Sequence, residues 1–198
     1  RHEVRNHMAN MKSLAGEQRY REMEDYMARF GETLKQLGNH CQTGHAVTDV
    51  IINDRYQRAK KAGISFETSF YWKETDRIPV FDMGILLSNL LDNALEAGEK
   101  LKAGEGYIRL SLKRKESFLL LEVENRFDGR VRYARDGRHL LSLKENSSGN
   151  RAEHGLGLKN VQETAERYLG GVDIRIEDQV FRVTVLLQQQ GILPEGPV

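Results

Sequence analysis

Cysteine, proline and net charge are all scarce in this sequence of 198 residues. The single cysteine, Cys41, excludes an internal disulfide framework and a metal site built from several thiolates, and it fits a reducing compartment. Thirty Lys and Arg against 29 Asp and Glu leave a formal charge of +1, which argues against nucleic-acid binding by bulk electrostatics. No apolar run approaches the roughly 20 residues that a membrane-spanning helix needs. The chain begins at Arg1 without Met and shows no signal peptide, so we expect a fragment of a longer protein.

The composition is that of a folded chain. Hydrophobic residues make up 39% of it and charged residues 30%, which supports a core and argues against wholesale disorder. The length allows one large domain or two small ones.

The chain to about residue 63 is predicted to be helical, because it lacks proline and its apolar residues recur at three- and four-residue spacing. A turn-like stretch over residues 38–44 is followed by a second helix over residues 45–62. We therefore predict an αα-hairpin domain over residues 1–63. Its apolar stripes need a partner, which is either a second copy of the chain or the rest of this one.

Residues 64–190 are predicted to form a mixed α and β domain, and residues 191–198 a disordered tail. A polar, Gly- and Arg-rich loop over residues 127–154 interrupts this domain, and loops of that length are usually functional or mobile. The predicted strands are 64–70, 107–113, 118–125, 172–177 and 180–188, and the predicted helices are 82–102 and 155–169. The fold class is α+β.

Two asparagines in the first of these helices are candidate metal ligands. Asn89 and Asn93 are four residues apart, so they share one helix face with Glu96. Amide oxygens suit Mg²⁺, which needs few protein ligands when phosphates supply the rest. The alternative is that both are polar surface residues, which spacing alone favours.

A second candidate motif, Gly155-Leu156-Gly157-Leu158, closes the long polar loop and opens a helix. Glycines let a ligand approach the backbone, and the N–H groups of a helix N-terminus attract phosphate. A tight turn explains the two glycines equally well.

In this order, the motifs resemble those of the GHKL ATPase superfamily, which includes DNA gyrase, MutL and the histidine kinases. Residues 89–94 look like its N-box, residues 155–158 like its G2 box, and the loop before them like its ATP lid. Residues 1–7 (RHEVRNH) look like the H-box of sensor histidine kinases, and the best match is the accessory-gene-regulator type of peptide quorum-sensing receptor. The resemblance covers residues 1–187. It implies a dimerising four-helix bundle, formed by the helical hairpin, followed by an α/β sandwich that binds ATP.

The resemblance also implies roles in the first domain. His2 would accept the γ-phosphoryl group of ATP, and a neutral imidazole is a competent nucleophile near pH 7. Glu3 would polarise His2, and Asn6 would orient water for dephosphorylation of the partner. His7 is the rival acceptor.

In the second domain, the resemblance makes Asn93 the principal Mg²⁺ ligand and places Asn89 near the metal or the phosphates. Residues 155–158 would cradle phosphates, and Lys144 of the lid would reach one, with Arg138 and Arg151 as alternatives. Most histidine kinases read adenine with the Asp of an Asp-x-Gly-x-Gly box. Here Asn125 takes that position and the glycines are absent, a departure that the accessory-gene-regulator type shares.

The function implied is ATP-dependent autophosphorylation of His2 and transfer to an aspartate of a response regulator receiver domain. The partners are a second copy of the chain and that receiver domain. We do not expect direct binding to nucleic acid. We expect attachment to a membrane only through a missing upstream sensor segment, as in a bacterial membrane receptor with a cytoplasmic kinase core. Two alternatives remain: a phosphotransfer scaffold with a degenerate nucleotide pocket, and an ATP-hydrolysing clamp. The clamp needs a Glu as general base where this chain has Asn89, whose amide cannot accept the proton.

Overall fold

The computed structural model describes residues 19–22, 41–73, 76–130, 132–133, 140–141 and 156–189. Its contacts divide the chain into two compact units, Arg1–His40 and Cys41–Val198. In the first unit the described residues are 19–22, where Arg19 Nη2 pairs with Glu22 Oε2 at 2.5 Å. The predicted acceptor His2 and its neighbours Glu3 and Asn6, with most of the predicted hairpin, lie outside the described residues, as do residues 190–198.

The second unit is a helical layer on one face of a five-stranded sheet, with strand order β1-β2-β3-β7-β6. Strand β1 runs parallel to β2, and the other neighbours in this sheet are antiparallel. A separate two-stranded ribbon joins β4 to β5. The helices are α1 (Ala46–Lys61), α2 (Val80–Gly98) and α3 (Leu156–Arg167). The strands are β1 (Ser65–Ser69), β2 (Tyr107–Lys115), β3 (Phe118–Arg126), β4 (Arg132–Tyr133), β5 (Leu140–Leu141), β6 (Gly171–Glu177) and β7 (Val180–Gln188).

Helix α2 is the centre of this unit, because it contacts α1, α3, β2 and β3. It begins after Pro79 and carries Asp82 in its first turn, where a negative charge favours the helix dipole. Its leucines recur at helical spacing and become fully buried, and alternate residues of β2, β3 and β7 meet them from the sheet. The buried side chains of this core include Leu86, Leu87, Leu90, Leu91, Ile108, Leu110, Leu119, Leu121, Val183 and Val185.

The mixed α+β fold is confirmed, and most predicted elements form within a few residues of their expected bounds. Helix α2 ends earlier than predicted: its last residue is Gly98, whereas the sequence predicted helix to residue 102. The amide of Leu101 bonds the carbonyl of Gly98, so the chain has already turned there.

The contacts group α1 differently from the predicted N-terminal hairpin over residues 1–63. The helix forms where it was predicted, but it belongs to the unit that begins at Cys41. It packs closely on α2: a Cβ at Gly84 would lie 3.3 Å from Ile51 Cδ1. Ile52 and Ala59 are fully buried. The apolar stripe of α1 needed a partner, and that partner is the leucine-rich helix of its own unit.

The segment that leads into α1 is fixed to it by hydrogen bonds. The side-chain amide of Asn53 accepts from the Cys41 N–H at 3.0 Å and donates to the Cys41 carbonyl at 3.1 Å. Thr43 donates its backbone N–H to Asp49 Oδ1 at 2.5 Å, and its carbonyl accepts from Trp72 N–H. Cys41 therefore marks a well-anchored start of the unit.

Candidate functional site

The N-terminal turn of α3 lies directly against the two asparagines of α2. A Cβ added at Gly157 would lie 3.3 Å from Asn89 Oδ1 and 3.6 Å from both Oδ1 and Nδ2 of Asn93. More than sixty residues of chain separate these motifs, so tertiary packing creates the cluster. Asn89 and Asn93 are partly exposed, so they are not simply polar residues buried in the core. We call Asn89, Asn93 and Gly157 the amide–glycine cluster.

Asn89 is held in a defined orientation. Its Nδ2 donates to the carbonyl of Ile85, one turn earlier in α2, at 2.8 Å. This bond turns Oδ1 towards Gly157 and makes it an acceptor at the start of α3. The cluster therefore presents amide oxygens beside a helix N-terminus, where N–H groups lack partners within the helix.

The far end of α3 is fastened to the start of α2 by the buried carboxylate of Asp82. Tyr168 donates its hydroxyl to Asp82 Oδ2, and Arg167 Nη2 donates to Asp82 Oδ1 at 2.9 Å. Burial, together with the hydrogen bond to Asp82, raises the pKa of Tyr168 well above its usual range, so the phenol stays a donor. Helix α3 is thus fixed to α2 near both ends, which sets its register against the asparagines.

Asn125 lies at the end of β3 on the face that carries the helices. It is 3% exposed, and its Nδ2 donates to the carbonyl of Arg126 at 3.0 Å. This bond turns Oδ1 away from that carbonyl and makes it the available acceptor. Asn125 comes from the sheet, whereas the amide–glycine cluster is formed by helices α2 and α3.

The remaining predicted residues divide into those that the structure describes and those that it does not. Leu158 is half-buried and packs against the core, so it fixes α3 to the layer below. Leu156 is the first residue of α3. Gly155 and Lys144 lie outside the described residues, as do Arg138 and Arg151.

An open groove of about 940 Å³ begins at Asn89 and runs over α2 between α1 and α3. Its floor includes Gly84 and Ile85, and Ile51 and Asn160 belong to its walls. Sequence reasoning missed this groove because it assigned α1 to another domain.

Charged residues around α2 were also missed. Asp92, inside the N-box-like motif, pairs with Arg55 of α1, whose Nη2 lies 3.3 Å from Asp92 Oδ2. In the sequence, Asp92 looks like any solvated carboxylate on a helix surface, so nothing indicated that it pairs with a basic residue of another helix.

Among the described residues, no group of three or more His, Cys, Asp or Glu side chains is arranged to hold a metal ion. A cation at the amide–glycine cluster would therefore have to be held by amide oxygens and by the ligand that it accompanies.

A family model described as the GHKL domain matches residues 78–188, which is more than half of the chain. The chain belongs to the GHKL domain family. The matched stretch begins just before α2 and ends with β7, so it contains both Asn89 and Asn93 and the start of α3. No curated protein sequence matches the chain significantly.

Solved structures of histidine kinases share the fold of this GHKL chain. The catalytic domain of histidine kinase ThkA is 16% identical with a TM-score of 0.51, covering 75% of this chain and 93% of that one. Histidine kinase AdeS of Acinetobacter baumannii is 14% identical with a TM-score of 0.52, covering 96% and 98%. A histidine kinase of Burkholderia phymatum is 17% identical with a TM-score of 0.52, covering 96% and 89%. At these identities the likeness is one of fold.

The GHKL unit has no membrane-spanning candidate in its described part. None of the described helices combines the length and apolar character that crossing a bilayer requires.

Proposed function

We propose that this chain is the kinase core of a two-component sensor histidine kinase, in which ATP phosphorylates His2. The observation that carries the proposal is the contact of Gly157 with Asn89 and Asn93, because it brings the two motifs of a nucleotide site together. Membership of the GHKL family and the fold shared with histidine kinase catalytic domains support it.

The described residues fit Mg²⁺ and ATP. The amide oxygens of Asn93 and Asn89 are hard ligands, and the missing side chain at Gly157 leaves the backbone beside them open to a phosphate. Asn93 would hold the metal, with Asn89 beside it. The N-terminus of α3, with Gly155 and Lys144, would hold the phosphates. When bound, Mg²⁺ neutralises charge on the transferring phosphoryl group.

Asn125 would read adenine through its carbonyl oxygen, which can accept from an exocyclic amino group. The bond from Asn125 Nδ2 to the Arg126 carbonyl fixes the amide so that Oδ1 is the free acceptor. A neutral amide accepts more weakly than a carboxylate, so we expect modest affinity for the base.

The transfer proposed breaks the bond between the γ-phosphorus and its bridging oxygen and forms a nitrogen–phosphorus bond to His2, and ADP leaves. Glu3 would polarise His2 and accept the proton from its other ring nitrogen, and Asn6 would orient the water that hydrolyses the aspartyl phosphate of the partner. The acceptor then passes the phosphoryl group to an aspartate of a response regulator receiver domain. The predicted helical hairpin would pair with that of a second copy, within a membrane receptor of the accessory-gene-regulator type that detects a peptide.

Hydrolysis of ATP is the weaker candidate, since Asn89 stands where a general base is needed. The Asn89 amide donates to Ile85 and offers only an amide oxygen towards the site, and an amide does not accept a proton at neutral pH.

A scaffold without kinase activity is favoured by one feature, which is Asn125 in place of the Asp of the Asp-x-Gly-x-Gly box together with the absence of that box's glycines. In that case the chain would bind a receiver domain without binding ATP.

The test is labelling of the chain with γ-³²P-ATP and Mg²⁺. We expect an acid-labile, base-stable label that is lost in His2→Gln and in Asn93→Ala and retained in His7→Gln. A label that survives His2→Gln but is lost in His7→Gln would move the acceptor to His7. ATP binding without any label would indicate a nucleotide-binding chain that does not phosphorylate itself, and no ATP binding would overturn the kinase proposal and favour the scaffold.

A further inference from the structure

Asp92 lies beside the proposed metal ligand Asn93 in α2, yet it points to a different neighbour. Arg55 Nη2 of α1 lies 3.3 Å from Asp92 Oδ2, and Arg58 Nη1 lies 4.0 Å from Asp92 Oδ1. The side chains of Arg55 and Asp92 are 20% and 22% exposed, so solvent screens this ion pair less than one on the open surface.

Arg55 has little freedom to move away from Asp92. Its Nη1 contacts Asp54 at 3.1 Å, and its Nε is buried without a hydrogen-bond partner among the described residues. The Ile51 side chain of α1 also packs against α2 at Gly84. The guanidinium is therefore held between the two helices rather than extended into water.

The geometry of a helix makes this pair relevant to Asn93. Successive residues differ by about 100° around an α-helix, so Asp92 faces α1 when Asn93 faces α3. A rotation of α2 that released Asp92 from Arg55 would also turn Asn93 away from Gly157. A released carboxylate would in addition compete for Mg²⁺ with the neighbouring amide, since Mg²⁺ favours charged oxygen ligands.

We propose that Arg55 and Asp92 are a positioning pair, which sets the rotation of α2 and keeps Asn93, rather than Asp92, as the metal ligand. This proposal rests on the proposed nucleotide site. It assigns to α1 a part in metal binding, although α1 itself contributes no ligand.

A second ion pair made by α1 provides a matched control. Arg58 of α1 makes a two-point pair with Glu99, which directly follows α2, from Nε at 2.8 Å and from Nη2 at 2.9 Å. Glu99 is six residues beyond Asn93 and more exposed than Asp92. If any ion pair made by α1 positioned Asn93 equally well, Glu99→Gln would reduce the Mg²⁺-dependent gain in ATP affinity as much as Asp92→Asn does.

The experiment measures the affinity of the 198-residue chain for ATP by calorimetry, with Mg²⁺ and with EDTA. It compares wild type, Arg55→Met, Asp92→Asn, the double variant and Glu99→Gln, and it records the unfolding temperature of each without nucleotide. We expect Arg55→Met and Asp92→Asn to reduce the Mg²⁺-dependent gain in ATP affinity about ten-fold, the lower end for outer partners of metal ligands. The affinity in EDTA should be unchanged, and Glu99→Gln should behave as wild type.

The double variant separates positioning from stability. Removing both charges leaves no unpaired partly buried charge, so its unfolding temperature should recover relative to Arg55→Met. Its Mg²⁺-dependent gain should stay low. Equal losses of affinity with Mg²⁺ and with EDTA, or the same loss in Glu99→Gln, would overturn the positioning role. A wild-type chain without Mg²⁺-dependent ATP binding would overturn the proposed function itself, and this pair's role with it.

Discussion

Gly157 shows what a single missing side chain permits at the residue scale. The first turn of α3 can approach Asn89 and Asn93 only because no Cβ stands between them. A methyl group there would lie 3.3 Å from Asn89 Oδ1, which is tighter than nine in ten real Cβ contacts, so the amide would have to shift by a few tenths of an ångström. The glycine thus keeps the amide oxygens and the helix N-terminus within reach of one ligand.

Gly157→Ala is therefore expected to weaken ATP binding about ten-fold, a loss of the size seen when groups around a metal ligand are displaced. Gly84→Ala is the matched control, because its Cβ would meet Ile51 Cδ1 at the same 3.3 Å away from the amides. Calorimetry with Mg²⁺ and ATP measures both. Equal losses in the two variants would show that crowding alone, rather than the cluster, matters.

The carboxylate of Glu124 should make the stability of the fold depend on pH. It lies on the sheet face away from the helices and accepts from Tyr107 at 3.0 Å and from Arg182 Nε at 2.8 Å. Burial would raise its pKa, but the hydrogen bonds from Arg182 and Tyr107 outweigh burial and lower the pKa below the ordinary 4.5. A depressed pKa stabilises the fold above pH 4.5, and this contribution is lost as the pH falls through the lower, folded-state pKa.

Glu124→Gln should therefore cost about 2 kcal/mol of unfolding free energy at pH 7, as for a hydrogen bond to a charged group. It should also flatten the decline of stability between pH 5 and pH 3 (about the range over which a depressed carboxylate titrates). Urea denaturation at several pH values measures this. A variant whose acid decline matched wild type would assign that decline to other carboxylates.

At the scale of elements, α3 is held by its ends. Gly157 contacts the asparagines of α2, and Tyr168 with Arg167 binds Asp82 at the start of that helix. Gly170 then brings the chain against the carbonyl of Leu186, where a Cβ would collide. The register of α3 is therefore determined by contacts at both of its ends, one of which is the phosphate-binding turn that we propose.

Tyr168→Phe removes one hydrogen bond from the buried carboxylate of Asp82. The expected loss of stability is about 2 kcal/mol, because a charged acceptor is left with fewer donors. Tyr71→Phe is the control, since Tyr71 is 55% exposed and surface substitutions usually change stability by less than about 0.5 kcal/mol. Thermal unfolding compares them, and equal values would mean that Asp82 does not depend on Tyr168.

The sequence predicted the positions of the helices and strands better than it predicted which elements and side chains they contact. Leucines at helical spacing located α2, and alternation located β2, β3 and β7, because local geometry alone imposes those periods. Asn89, Asn93 and the Gly157 motif were found because their order resembles a known family. Asp82, Asp92 and Glu124 were missed, since a carboxylate that pairs with a distant arginine looks in sequence like any solvated charge. The sequence also grouped α1 with the N-terminal helices, because an apolar stripe shows its helical period but does not identify the surface on which it packs.

At the scale of the whole molecule, the division of the chain follows the packing of α1. The unit that begins at Cys41 contains α1, the sheet and the proposed nucleotide site. Removing α1 would uncover the α2 surface around Gly84 and discard the fully buried Ile52 and Ala59.

A chain of residues 41–198 is accordingly expected to fold cooperatively and to bind ATP, without being labelled. A chain of residues 64–198, cut at the boundary that the sequence predicted, should unfold at least ten degrees lower or aggregate, because losing a core-packed helix costs several kcal/mol. Circular dichroism during heating decides between them. Equal unfolding temperatures would show that α1 is dispensable for the unit.

The two edges of the five-stranded sheet carry charge. On β1, Glu67 pairs with Arg109 of the neighbouring strand at 2.9 Å, and on β6, Asp173 pairs with Arg175 at 2.8 Å. A foreign strand that extended the sheet at either edge would have to accommodate these charged side chains on its surface. The charged edges therefore oppose the joining of these sheets edge to edge into aggregates, even where many copies of the unit are close together.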